Sequence, residues 1–458
     1  MKGNKVLKGI ILVGIFLRMI LWAFQESPEG DDGQRYLNES INIVEHNVFS
    51  VERSDNPQPS AHDMPLWPGL MAVAYCASNH SVKATQYIAG AVNIIFVIGS
   101  VLFLISMLRA KPFHFKDKQL AASAGVLLFM PESIMYSLFH MPDQLAVFAL
   151  IGALWFYFRT IFYSSKYFMG AVILFLVSIY AKPICIPLAF ALLAAIPFVR
   201  IHEWKKNTII AFSGMIIIVA GLIPWVMRNK VAFGTAGLTS ISGTNLYSCN
   251  WGRLVETLTP EEQEAIIKQM NEVEENISGY DLMKRSQLQG EYAKRELLRH
   301  MREYIIYTIK KHPRLYAGTG SVAMLRYLGL ERICDALDST WGSNNARGGA
   351  PVYETPYTAT EKGVGLGLQI FSWLILSCGY ILVVVGAFKG FKAAMSSDKA
   401  ERFDKIIILL CPILSLVLLA IVIGPITATR YRFIMIPFFA ILAGYALKST
   451  DTNFNKIH

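Results

Sequence analysis

Charge is scarce in this 458-residue chain: Asp, Glu, Lys and Arg make up 17% of it, against about 25% in an ordinary soluble domain. Hydrophobic residues reach 53%, and several apolar runs are too long for core helices. Together these exclude a soluble multidomain protein and a disordered chain. Cysteine is also sparse. Of the six, Cys185, Cys378 and Cys411 lie in apolar runs and Cys76, Cys249 and Cys334 are scattered. No C-x-x-C spacing exists, so a disulfide scaffold and a zinc or redox motif are excluded, and the thiols read as packing groups. H-E-x-x-H, G-x-S-x-G and Walker sequences are missing as well. The formal charge of +10 does not imply a nucleic-acid partner, because Lys and Arg collect on the cytoplasmic side of membrane proteins.

What is present is a series of apolar segments, at roughly 6–24, 86–108, 119–138, 144–162, 165–181, 184–200, 208–227, 363–388, 406–424 and 433–448. Each approaches the ~20 residues that cross a bilayer as a helix. The first follows Lys2, Lys5 and Lys8 with no small-residue cleavage site after it, so it reads as a retained helix rather than a signal peptide. Basic clusters at Arg109–Lys118, Arg159–Lys166, Arg200–Lys206 and Lys389–Lys405 predict ten spans with both termini cytoplasmic. The fold class expected is an all-α membrane protein. Its modules are residues 1–227 with a first outer loop at 25–85, an outer region at 228–362, and C-terminal spans at 363–458.

The polar material thus falls on one face. In the first loop, Tyr36, Leu37, Ile41, Val44 and Val48 repeat at helical spacing and predict an amphipathic juxtamembrane helix starting near Gln34. In the outer region Thr259-Pro260-Glu261-Glu262 spells a helix start with a capping box. A second helix is expected over 281–311, stopping before Pro313. The Gly-, Asn-, Ser- and Thr-rich stretch 331–361 reads as a mobile loop.

Chemistry-bearing residues cluster at the outer ends of the spans. Asp31 and Asp32 stand in Asp31-Asp32-Gly33-Gln34-Arg35-Tyr36. One is read as a general base toward an acceptor hydroxyl, or else as a helix N-cap. Asp143, after Met141-Pro142, carries the same two readings. Glu132, inside the third apolar run, needs a partner, and Arg18 in the first span is the one expected. Lys182, Arg228, Lys230, Arg430 and Arg432 are read either as snorkelling cations or as a phosphate clamp, for which Arg is well suited. His62-Asp63 precedes Pro65-Leu66-Trp67-Pro68 and could hold a proton or a metal.

In order along the chain, these pieces resemble the polytopic glycosyltransferases of the C-type fold. The narrower resemblance is to the group of protein O-mannosyltransferases and the lipid A aminoarabinose transferase. The match is carried by an arginine in the first span, Asp32-Gly33-Gln34-Arg35-Tyr36, Met64-Pro65-Leu66-Trp67-Pro68 and Asp143. It continues through Pro224-Trp225-Val226-Met227-Arg228-Asn229 with Phe233-Gly234, Gly243-Thr244-Asn245-Leu246-Tyr247 with Asn250, and Arg430-Tyr431-Arg432 with Pro437. One departure is Met64, where the aminoarabinose transferase has a basic residue thought to meet the donor phosphate.

The resemblance implies a bacterial inner-membrane enzyme with a periplasmic active site. It would move a sugar from a polyprenyl-phosphate donor to a hydroxyl of a glycan, lipid or protein acceptor, with membrane lipid around it. No nucleotide is needed; a divalent cation is left open. On this reading Asp32 is the base and Asp143 a second carboxylate. Arg228, Arg430 and Lys182 meet the donor phosphate, and Asp31, Tyr36, His62 and Asp63 form the acceptor or metal neighbourhood. A single displacement would invert the anomeric centre. The rival readings are a lipid-linked glycan transporter and an O-antigen polymerase or ligase.

Overall fold

A computed structural model describes residues 2–25, 30–199, 203–341 and 357–448. These residues are mostly helical and contain no strand. The first half runs α1 (Lys2–Ala23), α2 (Gly30–Glu45), α3 (Leu66–Ala77), α4 (Val82–Arg109), α5 (Asp117–Phe129), α6 (Pro131–Tyr136), α7 (Asp143–Phe162), α8 (Phe168–Ala181), α9 (Cys185–Ala195) and α10 (Trp204–Phe233). A polar helical region follows, with α11 (Ile241–Asn245), α12 (Arg253–Val255), α13 (Pro260–Ile277), α14 (Leu282–Arg299), α15 (Met301–Ala317), α16 (Ser321–Tyr327) and α17 (Glu331–Trp341). The chain then returns through α18 (Ala359–Met395), α19 (Lys399–Ile423), α20 (Thr429–Phe433) and α21 (Ile436–Ala446).

The protein is a multi-pass membrane protein. Among the described residues six helices are long and apolar enough to cross, within α1, α4, α7, α10, α18 and α19, and four further apolar helices are shorter. Every segment expected to span falls on helix, but the lengths do not give ten uniform crossings. The third is broken at Met130-Pro131: Met130 turns extended (φ −59°, ψ 136°), as a residue before proline prefers. All eleven residues of α21 are buried, the mark of a helix enclosed on every side. It packs on α18 so closely that a Cβ on Gly386 would lie 1.9 Å from Leu442 O, and only glycine fits there.

Several expectations are corrected. Arg18 does not pair with Glu132. It is fully buried and donates to Ser137 Oγ (2.7 Å), Gly14 O (2.9 Å), Leu128 O (2.9 Å) and Ser133 O (3.0 Å). The partner of Glu132 is Arg432, through two bonds of 2.6 and 2.7 Å, so Arg432 is neither a snorkelling residue nor a free cation. The helix expected over 281–311 is two helices meeting at His300, and α15 runs through Pro313. A proline inside a helix forfeits one hydrogen bond. Arg432 holds the turn that follows, bonding the Leu315 and Tyr316 carbonyls at 2.7 and 2.8 Å. The stretch read as a loop contains α17, and Thr358 caps α18 in a box with Glu361; residues 342–356, like Arg200, lie outside the described residues. The Thr259–Glu262 capping box is formed as read.

Candidate functional site

The first-loop helix α2 begins at Gly30, not near Gln34, so Asp32 lies inside its first turn rather than capping it. Tyr36, Leu37 and Ile41 are buried and press α2 against α3. Arg35 is one turn on from Asp32. It reaches Asp32 Oδ1 (2.6 Å) and, from the same guanidinium, both oxygens of Asp63 (2.5 and 3.3 Å). His62 Nδ1 lies 2.9 Å from Asp63 Oδ2. The other oxygen of Asp32 accepts from Arg430. Two segments almost 400 residues apart therefore meet at one carboxylate.

Within electrostatic reach of Arg430 stands Asp143. It is the first residue of α7, and no side chain caps that helix, so the capping reading fails. Asp143 is instead buried and bonded to Lys182, while its Oδ2 has no hydrogen-bond partner. The Lys182 ammonium lies 5.6 Å from the Tyr431 ring centroid and the Arg430 guanidinium 5.3 Å from it. Tyr431 thus carries a cation on each flank.

The electrostatics follow from these contacts. Burial would raise the Asp32 carboxyl, but Arg430 and Arg35 outweigh it and hold it below the ordinary carboxylate range. Burial likewise opposes the ionisation of Asp63, yet hydrogen bonds from His62 and Arg35 bring it down to about 2. Burial also works against the Arg430 charge; Tyr431, Asp32 and Asp143 overcome it. Tyr36 is driven well up by burial, with Asp63 adding to it. One turn beyond Arg35, Glu39 is fully buried and neither of its oxygens has a partner. Burial, reinforced by Asp63, holds its carboxyl well above the usual range.

The structure therefore brings together Asp32, Tyr36, His62, Asp63, Asp143, Lys182 and Arg430. Arg228 stands outside this hydrogen-bond network. It donates to Ser60 O (2.7 Å) and Asn229 Oδ1 (2.9 Å), among the rings of Phe49, Trp225 and Phe233. It thereby holds the loop that leads into His62-Asp63. The backbone of Asp31 is in the first turn of α2; its side chain lies outside the described residues. Sequence reasoning passed over Arg35 and Glu39. The spacing of Asp32, Arg35 and Glu39, at i, i+3 and i+7 on one helix face, was the available signal.

Asp32 and Asp63 already spend their oxygens on arginine. Among the described residues no group of three or more His, Cys, Asp or Glu side chains is placed to hold a metal ion. The set present is a network in which Arg35, Lys182 and Arg430 are paired with Asp32, Asp63 and Asp143, and its arginines are the groups suited to paired bonds with an anion.

No family model matches the sequence, and neither does any curated protein. Among solved structures the chain is similar to the apo oligosaccharyltransferase of Archaeoglobus fulgidus, with a TM-score of 0.53 at 10% identity over 97% of this chain and 50% of that one. It is also similar to ArnT from Cupriavidus metallidurans in the apo state (TM-score 0.41, 11% identity, 96% of this chain and 77% of that one). The same ArnT bound to undecaprenyl phosphate gives 0.42 at 11% identity over the same shares. The first likeness shows the fold, the C-type architecture that the sequence resembles. The chain spans half the length of that oligosaccharyltransferase.

Proposed function

We propose that the chain is a membrane glycosyltransferase that moves a sugar from a polyprenyl-phosphate donor to a hydroxyl of a cell-envelope acceptor. The observation that carries this reading is Arg430 bonded to Asp32, with Asp143 within its electrostatic reach. Glycosyl transfer needs a base on the incoming hydroxyl and positive charge on the departing phosphate. Here both lie within one network.

Asp32, partly exposed at 33% and ionised at neutral pH, takes the acceptor proton as the hydroxyl oxygen bonds to the anomeric carbon. The bond from that carbon to the phosphate oxygen breaks, and Arg430 with Lys182 receives the phosphate charge. Arg430 exchanges Asp32 for the donor phosphate as the donor binds. This frees an Asp32 lone pair at the moment it is needed. Arg35 and Asp63 hold the α2 turn in register. A single displacement inverts the anomeric centre. The site opens toward the periplasm of a bacterial inner membrane, with both termini cytoplasmic. Residues 1–227 carry the catalytic loop, 228–362 cover the acceptor, and 363–458 close the bundle. The transporter reading has less support: Arg18 and Glu132, the charges expected along a midplane path, are both fully buried on protein partners.

The test is release of polyprenyl phosphate from a panel of radiolabelled polyprenyl-phosphate sugars by purified protein with envelope extract. Wild-type turnover that collapses in Asp32→Asn supports the proposal, and the labelled product names the acceptor. Equal turnover in the variant removes Asp32 as the base. No turnover with any donor favours glycan transport or the joining of whole oligosaccharides.

A further inference from the structure

Helix α15 has two unlike faces. Tyr307 and Leu315 are buried. The opposite face carries Met301, Ile305, Ile306 and Ile309, exposed by 40, 50, 42 and 65%, with Leu298 of α14 beside them at 58%. Exposed Pro313 and Ala317 prolong this face, and exposed Arg302 and Lys310 flank it. Four large apolar side chains in a row toward water are costly, and among the described residues they are left exposed.

The depth of α15 says what covers this face. Its last turn is anchored to the bundle: Trp373 donates to Ala317 O (3.0 Å) and Tyr380 to Tyr316 O (2.9 Å), both from α18. His312 Nε2 lies 3.0 Å from Gly424 O, at the end of α19. The opposite ends of α18 and α21 are marked by Lys389, which bonds Ala446 O. Trp373 precedes Lys389 by sixteen residues, about 24 Å of helix. A bilayer core is ~30 Å thick. With Lys389 at one edge, Tyr316 and Ala317, and with them the end of α15, lie near the opposite edge of that core. An apolar stripe flanked by cations at that level is the pattern of a helix seated in anionic lipid.

We propose that α15 is an interfacial helix. Met301, Ile305, Ile306 and Ile309 enter the acyl chains of the leaflet on the side of the 228–362 region, and Arg302 and Lys310 meet anionic headgroups. The lipid surface thereby fixes the polar region over the site. This does not depend on the transferase reading.

The experiment uses the full chain in nanodiscs of phosphatidylglycerol whose acyl chains are either plain or brominated. The tryptophan emission added by Ile309→Trp, or by Ile305→Trp where the first variant melts early, is read as the difference from the parent. The added emission is expected to fall at least about two-fold in brominated discs, with Glu264→Trp on α13 unchanged. Arg302→Glu with Lys310→Glu should weaken the quenching in phosphatidylglycerol and leave it unaltered in phosphatidylcholine. Equal emission in plain and brominated discs would overturn the proposal. So would quenching as strong at Glu264→Trp. An unquenched signal with two chains per disc would assign the face to a second copy and overturn it as well.

Discussion

Arg430 and Arg432 are two residues apart on the same short helix, and their surroundings could hardly differ more. Arg432 and its partner Glu132 are both fully buried, and the guanidinium is further committed to two carbonyls of α15. Arg430 and its partner Asp32 keep 22 and 33% of their side-chain surface. Beyond them lies Asp143 with an unbonded oxygen. The first pair is closed, with all three guanidinium nitrogens hydrogen-bonded, and it ties α6, α15 and α20 into one body. The second is open on one side and can exchange partners. On the function proposed above, completeness of the hydrogen bonding, not position in the chain, separates the structural arginine from the functional one.

The largest effect should come from breaking the closed pair. Removing one member leaves an uncompensated buried charge, which costs about 3–5 kcal/mol. Arg432→Met should therefore yield protein that melts far below the parent in detergent, and Glu132→Leu added to it should recover part of the loss. Recovery to parental stability would show that the pair contributes little beyond its own burial. Next comes Asp32→Asn, which should lower turnover by roughly 10²–10⁴-fold, the usual worth of a positioned base. Its melting temperature should stay close to that of the parent, since the Asp32–Arg430 pair is partly exposed.

Smaller effects belong to the α2 face. The Glu39 carboxyl is held above its ordinary value of 4.5, so the folded state keeps a proton that the unfolded state gives up. Stability should therefore decline as pH rises above that value. Glu39→Gln should flatten this dependence above pH 4.5, as read by thermal melting across pH. Asp63 is shifted the other way. Its contribution is complete above its unfolded value of 3.8 and is lost as pH falls to about 2, so Asp63→Asn should blunt acid unfolding in that window.

The helical segments behind the apolar runs were legible, though not their number as full crossings, because hydrophobic runs and local caps depend on near neighbours. Thr259-Pro260-Glu261-Glu262 is such a case: everything that makes the cap lies within one turn. The partner of Glu132 was not legible. Arg18 and Arg432 were equivalent charges on the sequence, and only packing separates them. Asp32 and Asp143 could be named but not assigned, because a carboxylate near a helix start reads equally as a cap. What removes that ambiguity is burial beside Lys182 for Asp143 and the reach of Arg430 for Asp32, both set by distant segments. Pro313 misled for a related reason: a proline ends a helix only where no tertiary contact holds its last turn.

The central claim is the division of labour within Arg430-Tyr431-Arg432, and the most direct test measures Arg430→Gln and Arg432→Gln side by side for melting temperature and for polyprenyl-phosphate release. The account predicts that Arg430→Gln melts with the parent and loses about 10²–10³-fold in turnover, whereas Arg432→Gln fails first in stability. Parental turnover in a well-folded Arg430→Gln protein would contradict it.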